Sequence, residues 1–254
     1  MLNSFLIALT FLSIVPVSQK FLPKWCYDAQ QPSSQNLRFF CVMLPIIGIL
    51  FAIFWFFISS SLIKFEKLSC EFRGFLMMLA TLILTGGLHM DGFMDTCDAI
   101  FSRRDRDTRL KILSDSHIGS FAAQGSIIIL LAKTFLFAEL FSHSSEINFL
   151  IPIYSRLGMA LILNNLPFAK SSGLAVILGT LRKKRDNFFF VIIFIILIYI
   201  DKSIIIPVIF IFSLITWSQI CLKIFGGITG DLLGAFLEIS ETLLLIGMVT
   251  ENCI

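Results

Sequence analysis

Seven long apolar runs constrain this chain more than any other feature of its sequence. A helix needs about 20 mostly apolar residues to cross a bilayer, and the runs that approach this length are 39–63, 74–90, 118–141, 149–168, 188–200, 203–222 and 231–250. Because lipid cannot satisfy backbone hydrogen bonds, such runs form helices. We therefore predict an all-α, polytopic integral membrane bundle of about seven transmembrane helices, preceded by a short apolar segment at residues 1–16.

The composition excludes several other classes of protein. Hydrophobic residues make up 57% of the chain and charged residues only 15%, whereas a soluble domain carries about 25% charged residues. A soluble enzyme, a disordered chain and a disulfide scaffold are therefore excluded, and a lipid bilayer covers part of the surface. The net charge of +3 is too small for a nucleic-acid partner. We expect residues 1–254 to form a single integral membrane domain.

Basic residues predict which way the spans point. Most of the 20 Lys and Arg residues fall into four connecting segments, 17–38, 91–117, 169–187 and 223–230. Cytoplasmic loops of membrane proteins carry an excess of Lys and Arg. We therefore expect these four segments to face the cytoplasm.

Two clusters of acidic residues stand at this predicted cytoplasmic border. The first cluster follows Gly86 and Gly87 in the segment GGLHMDGFMDTCDA. Its members Asp91, Asp95 and Asp98 have the spacing i, i+4 and i+7, which places them on one stripe of a helix. Like charges on one stripe repel each other, and oxygen ligands without cysteine suit Mg²⁺ or Mn²⁺. The pattern favours a divalent-metal site over its alternative, a solvated helix face beside a basic loop.

The second cluster lies in the last apolar run. Gly226 and Gly227 are followed by Asp231, Glu238 and Glu241 in the segment GGITGDLLGAFLEISE, and these acids share one half of a helix. A charge inside a membrane costs about 3 kcal/mol unless it is paired or bound to a metal. Both clusters read Gly-Gly-x-x-x-Asp with another acid seven residues later. This likeness suggests an internal repeat whose two acidic helices face one site.

Basic residues near the acids predict how phosphate groups bind. Mg²⁺ bridges carboxylate and phosphate oxygens while Arg side chains neutralise the remaining charge, and glycine lets backbone N–H groups approach an anion. Arg156 lies inside an apolar run, where it requires an acid or a phosphate as its partner. We expect metal-dependent phosphoryl or phosphodiester transfer, with substrate or phosphate bound by Gly86, Gly87, Arg103, Arg104, Arg109, Asp115, Arg156, Gly226 and Gly227.

Three further polar residues have structural explanations beside functional ones. His89 points to a different helix face from Asp91, which favours a structural role or one in support of the metal ligands. Asp115 fits a helix cap as well as a nucleotide contact. Lys133, inside an apolar run, is expected either to extend to the interface or to pair with an acid or a phosphate.

The acidic segments also resemble a known family. GGLHMDGFMDTCDA, the following RLKILSDSHIGSF and GGITGDLLGAFLEISE together are similar to motifs of the cobalamin synthases, the adenosylcobinamide-GDP ribazoletransferases of bacteria and archaea. The stretch IYSRLGMALILNNLPFAKSSGL resembles the Ser-Arg and Pro-x-Ala-Arg segment of the same family. The chain departs from the family pattern at Ala99, His117 and Lys170, where Gly, Arg and Arg are usual, but it keeps every acid.

The resemblance implies a reaction and its participants. A ribose hydroxyl of α-ribazole, or of its 5′-phosphate, attacks the cobinamide-linked phosphate of adenosylcobinamide-GDP, GMP leaves, and adenosylcobalamin or its 5′-phosphate forms. The expected cofactor is Mg²⁺, held by the first cluster and Asp231, while Glu238 or Glu241 completes the metal shell or accepts the hydroxyl proton. The enzyme is expected in the bacterial inner membrane with its active site facing the cytoplasm. A homo-oligomer and an association with other nucleotide-loop enzymes both remain open.

Two other functions fit parts of the pattern. A CDP-alcohol phosphotransferase is also a polytopic enzyme with clustered Asp residues, but the Ala-Arg of its motif is missing after Asp91 and Gly92. A cation transporter places its acids at mid-bilayer, whereas the first cluster lies in a long hydrophilic segment at the end of a span. Release of GMP and transport of a cation would distinguish these alternatives.

Overall fold

A computed structural model describes residues 1–17, 38–142, 149–179, 182–201 and 203–252. Within these ranges the regular secondary structure is helical, apart from a single parallel bridge between Phe168 and Ile228. The helices are α1 Leu2–Leu12, α2 Phe40–Ile63, α3 Cys70–Thr85, α4 Leu88–Phe101, α5 Arg106–Ile112, α6 Ser120–Ser142, α7 Ile151–Asn165, α8 Leu174–Gly179, α9 Asp186–Asp201, α10 Ile205–Ile220 and α11 Gly230–Asn252. A π-helical turn, Cys221–Phe225, continues α10. The predicted all-α membrane class is confirmed.

Four of the described helices are long and apolar enough to cross a bilayer. They are α2, α6, α10 with its π-helical turn, and α11, and they match the predicted runs 39–63, 118–141, 203–222 and 231–250. The pair α3 and α4 makes a fifth span only if the two helices are counted together. By length and composition, the described residues therefore contain four or five membrane-spanning helices, whereas the sequence predicts about seven.

The remaining predicted spans form shorter helices. The run 149–168 becomes α7, with 15 residues, and the run 188–200 becomes α9, with 16. At 1.5 Å per residue, such helices are about 22–24 Å long, which is less than the ~30 Å hydrocarbon core. Almost every side chain of α7 is buried, so its apolar character reflects packing against other helices. By contrast, most of α9 is exposed.

The run 74–90 is broken at two glycines. Gly86 and Gly87 have φ angles of 63° and 71°, in the left-handed region that side chains disfavour. Two such residues in succession end α3 at Thr85 and start α4 at Leu88, and the two helices meet at an angle of 92°. The acidic helix is therefore separate from the span before it, whereas the sequence had predicted that one span would continue to residue 90.

The two acidic helices, α4 and α11, pack in backbone contact. A Cβ at Gly92 would lie 2.8 Å from the carbonyl oxygen of Asp231 and 2.9 Å from its Cα. One turn further along α11, a Cβ at Gly234 would lie 3.2 Å from the Cα of His89. Only residues without side chains allow two helix backbones to come this close. This contact confirms that the two acidic segments face each other on the same end of the bundle.

The loops beside these helices gather at that end. Ala169 donates its N–H to the carbonyl of Ile228 at 3.0 Å. Arg106 donates to the carbonyls of Phe225 at 2.7 Å and Ala169 at 3.1 Å. Segments 91–117, 169–187 and 223–230 therefore meet, as the charge pattern predicts. Most of the fourth basic segment, 17–38, lies outside the described residues.

The close approach at Gly92 can be tested by adding one methyl group. We expect Gly92→Ala to destabilise the protein by about 1–3 kcal/mol, because the new Cβ meets backbone atoms that cannot move aside. Thermal unfolding in detergent micelles should show a lower midpoint. Gly230→Ala is the matched control, since a Cβ there has no neighbour within 4 Å, and its midpoint should stay at or above that of the wild type. An unchanged midpoint in Gly92→Ala would contradict the packing.

Candidate active site

Asp91 and Asp231 line one cavity, although they are far apart in the sequence. The cavity has a volume of about 200 Å³ and lies where α4, α8 and the start of α11 meet. The Thr229 hydroxyl lies 3.2 Å from Oδ2 of Asp231. The cavity combines these acids with one basic side chain and an apolar wall; its lining includes Phe11, Asp91, Lys170, Ala175, Val176, Ile228, Thr229 and Asp231.

Asp95 lies one turn along α4 from Asp91. Its carboxylate is half-buried and is repelled by the charges of Asp91, Asp231, Asp98 and Asp115. These five acids therefore form a region of concentrated negative charge. The predicted stripe on α4 and the predicted meeting with Asp231 are both present, and a cation at this position would reduce the mutual repulsion.

Asp98 belongs to the same stripe, but its carboxylate holds the start of α6. One oxygen accepts the N–H of Gly119 at 2.7 Å, and the other accepts the N–H of Ala122 at 3.0 Å. A Cβ at Gly119 would lie 2.5 Å from this carboxylate, so glycine is needed for the approach. Asp98 thus satisfies amide groups at a helix N-terminus, and its role as a metal ligand stays a prediction.

Glu238 and Glu241 do not reach this region. Both are buried in the bundle, where Lys133 Nζ lies 2.6 Å from Oε2 of Glu238 and 3.0 Å from Oε2 of Glu241. Arg156 pairs with the other oxygen of Glu241 and stacks on the ring of Phe51 at 4.2 Å. We call Lys133, Arg156, Glu238 and Glu241 the buried quartet. It carries two positive and two negative charges, so the expected acid partners of Lys133 and Arg156 are confirmed.

Comparison with known proteins adds to this geometry. A family model described as cobalamin-5-phosphate synthase matches residues 4–249. The chain is 35% identical to an adenosylcobinamide-GDP ribazoletransferase from Geobacillus sp. (strain WCH70), covering 94% of this chain and 92% of the relative. It is 32% identical to the protein of that name from Clostridium botulinum (strain Langeland), covering 96% and 97%. A third, from Halalkalibacterium halodurans, is 28% identical over 96% and 94%. No solved structure matches the chain.

The chain belongs to the cobalamin-5-phosphate synthase family. The match extends from α1 to α11, so it includes both acidic helices and the loops between them. The resemblance noted in the sequence is therefore confirmed at the level of the family.

Arg103, Arg104 and Arg109, which the sequence predicts to bind phosphate, are not among the described residues that line the cavity. Arg103 and Arg104 are exposed in the turn after α4, where Arg103 takes a left-handed φ of 53°. Arg109, on α5, has a buried Nε without a partner among the described residues. Arg106, in the same basic segment, donates to backbone carbonyls and joins α5 to the loops before α8 and α11.

Asp115 and His117 form an exposed pair beyond α5. His117 Nδ1 lies 2.6 Å from Oδ1 of Asp115. The hydrogen bond and the charge of Asp115 raise the pKa of His117 above its ordinary value, and the hydrogen bonds from His117 lower the pKa of Asp115. His117 therefore keeps its positive charge to a higher pH than an isolated histidine. Asp115 forms this local turn, and the nucleotide contact predicted for it stays a prediction.

The glycine pairs give the loops their shape. Gly86 and Gly87 form the sharp turn before α4. Gly226, with a φ of 71°, ends the π-helical turn, and a Cβ there would lie 2.7 Å from Nε of Arg106. Gly227 packs against the backbone of Pro167 and Phe168. All four have structural reasons to be glycine, and their contact with an anion stays a prediction.

The carboxylates suit magnesium by their chemistry. Mg²⁺ is usually held by one or two carboxylates, with water and substrate phosphates as its other ligands. Asp91 and Asp231 on one cavity meet that requirement, with Asp95 beside them. Within the described ranges, no three His, Cys, Asp or Glu side chains already stand together as a metal site. The residues therefore fit a metal ion that is completed by its substrate.

Four polar residues among the described ones that line the cavity were not predicted as site residues: His89, Lys170, Ser172 and Thr229. The sequence singles out Lys170 only because the family usually has Arg there. It could not show that Lys170 lines the same cavity as Asp91 and Asp231. His89 was assigned a structural or supporting role; it is 2% exposed, and its Nε2 has no partner among the described residues.

The buried quartet makes a clear prediction about stability. Lys133→Met should destabilise the protein by about 3–5 kcal/mol, because it leaves Glu238 charged and unpaired in the bundle. Adding Glu238→Gln should recover much of this loss, since the remaining Arg156 and Glu241 are again neutral together. Thermal unfolding of both variants and of Glu238→Gln alone completes the cycle. A double variant that is less stable than Lys133→Met would show that the pairing is wrong.

Proposed function

We propose that this chain joins α-ribazole, or its 5′-phosphate, to adenosylcobinamide-GDP and releases GMP. The family and the names of its relatives support this assignment. The single structural observation that carries it is the meeting of Asp91 and Asp231 with Lys170 at one cavity. A site of this kind combines metal-binding oxygens with a group that neutralises phosphate, which are the two requirements of phosphoryl transfer.

In the proposed reaction, a ribose hydroxyl oxygen forms a bond to the phosphorus next to cobinamide. The bond between that phosphorus and the bridging oxygen of the diphosphate breaks, and GMP carries the bridging oxygen away. The hydroxyl proton is released as the new phosphodiester forms. The products are adenosylcobalamin, or its 5′-phosphate, and GMP.

In the proposed reaction, the position of each acidic residue would determine its role. Asp91 and Asp231 hold the metal from two helices whose distance is fixed by the contact at Gly92. Asp95 adds negative charge one turn away and keeps the cation at this end of α4. When bound, Mg²⁺ supplies positive charge to the phosphate oxygens.

We also propose that the site faces the cytoplasm of the bacterial inner membrane. The basic segments 91–117, 169–187 and 223–230 gather at the end of the bundle that carries the cavity. Loops rich in Lys and Arg remain on the cytoplasmic side during insertion. Soluble nucleotide substrates would then reach the site directly.

The transporter alternative loses its main support in this structure. A transporter would bind its cation with carboxylates inside the membrane. Glu238 and Glu241 are the buried carboxylates of α11, and both are already paired with Lys133 or Arg156. The unneutralised acids stand at the end of the bundle, beside the basic loops. This arrangement favours catalysis at the membrane surface.

The proposed function is tested by substituting one carboxylate at a time. Asp91→Asn and Asp231→Asn should each lower GMP release by at least about 100-fold, because either change weakens a site built from both residues. The assay uses the full chain in liposomes with Mg²⁺, adenosylcobinamide-GDP and α-ribazole. Glu66→Gln is the matched control, since Glu66 is exposed in the loop before α3, and its rate should equal that of the wild type.

Two results would contradict this assignment. Wild-type protein that releases no GMP, with folded protein confirmed by its unfolding transition, would exclude the reaction. Full activity in Asp231→Asn would show that the second acidic helix has only a structural role.

A further inference from the structure

Lys170 stands opposite the acids of the cavity. Among the described lining residues it is the single Lys or Arg, and its charge acts on the carboxylate of Asp231. The cavity therefore combines two acidic groups with one positive charge. The ammonium group of Lys170 can therefore attract an anion that enters the cavity beside the two carboxylates.

The backbone before Lys170 is held on two sides. Ile228 donates its N–H to the carbonyl of Pro167 at 2.9 Å, and Ala169 donates to the carbonyl of Ile228 at 3.0 Å. Arg106 donates to the carbonyl of Ala169 at 3.1 Å. Lys170 is thus tied to the segment that leads into Asp231 and also to α5. Its position follows from the fold and not from the reach of a long side chain alone.

The side chain of Lys170 is directed by a second element. Its Nζ donates a hydrogen bond to the hydroxyl of Ser114, in the turn that follows α5. An ammonium group has three donors, and Ser114 uses one of them. The remaining donors suit an anion at the mouth of the cavity, because an ammonium ion binds phosphate as a compact point charge.

A diphosphate needs such a cation at this site. The carboxylates of Asp91 and Asp231 repel phosphate oxygens, and a divalent metal ion that they held would neutralise this pair but leave the charge of Asp95 beside it. The predicted arginines Arg103 and Arg104 are exposed in the turn after α4 and are not among the cavity-lining residues. Lys170 is the basic side chain already in place.

We propose that Lys170 is the residue that binds the diphosphate of the guanosine-bearing substrate. This inference rests on the proposed function and adds a binding residue to its site. Removing the charge weakens the binding of diphosphate-containing ligands, while the binding of α-ribazole is retained. Arg at this position supplies the same charge and preserves binding.

Kinetics of the full chain in liposomes test this assignment. Lys170→Met should raise the KM for adenosylcobinamide-GDP by about 10- to 100-fold, the range expected for loss of a charge-assisted hydrogen bond. The KM for α-ribazole should change by less than about threefold, and Lys170→Arg should restore the first KM to within about threefold of the wild type. Lys184→Met is the matched control, because Lys184 is exposed at the same end of the bundle and its loss should leave both constants unchanged.

A binding measurement keeps the inference separate from the reaction. Calorimetric titration of magnesium pyrophosphate into the wild-type chain should show saturable binding, and Lys170→Met should weaken it by about 10-fold or more. Lys170→Gln, read in the same way, replaces the Met variant if that variant has a lowered unfolding midpoint. If Lys170→Met weakens pyrophosphate binding but the wild type releases no GMP, the proposed function is contradicted while Lys170 remains a diphosphate-binding residue.

Three outcomes would overturn the role of Lys170. An unchanged KM for adenosylcobinamide-GDP with unchanged pyrophosphate binding is the first. An equal rise in both KM values is the second, since it indicates a general structural effect. The third is an equal loss of pyrophosphate binding in Lys184→Met, which indicates attraction by the whole basic surface.

Discussion

The contact between the backbones of α4 and α11 is the constraint on which the site depends. A methyl group at Gly92 would prevent the present approach of the two helices, and one at Gly234 would crowd it. This approach brings Asp91 and Asp231, 140 positions apart in the numbering, onto one cavity. The loops that carry Lys170 and Ile228 then pair across the start of α11.

The protein treats its charges in two different ways. In the interior, Lys133, Arg156, Glu238 and Glu241 neutralise each other and stay buried, which limits the cost of placing charge among apolar helices. Among the described residues that line the cavity at the end of the bundle, two carboxylates accompany one lysine, so a bound cation would offset the repulsion between the acids. The buried quartet and the proposed site thus use separate groups of charged residues, although Asp231 and Glu241 belong to one helix.

Much of this architecture could be predicted from hydropathy and spacing. The apolar runs predict the helices of α2, α6, α10 and α11, and the i, i+4, i+7 spacing predicts the stripe of Asp91, Asp95 and Asp98. Hydropathy could not distinguish α7, whose apolar side chains face protein, from a lipid-facing span. It also could not show that Gly86 and Gly87 break a continuous run, because their φ angles depend on tertiary packing. The partners of Glu238 and Glu241 were hidden for a similar reason, since Lys133 and Arg156 approach from other helices.

Metal binding by Asp91 and Asp231 can be measured without the reaction, and it tests whether the two residues share one ion. Mn²⁺ replaces Mg²⁺ at oxygen sites, and electron paramagnetic resonance of free Mn²⁺ gives its affinity for the full chain in micelles. We predict that Asp91→Asn and Asp231→Asn each weaken binding and that the double variant loses much less than the two single losses combined, because both act on one ion. Fully additive losses, or wild-type affinity in either single variant, would contradict the shared site.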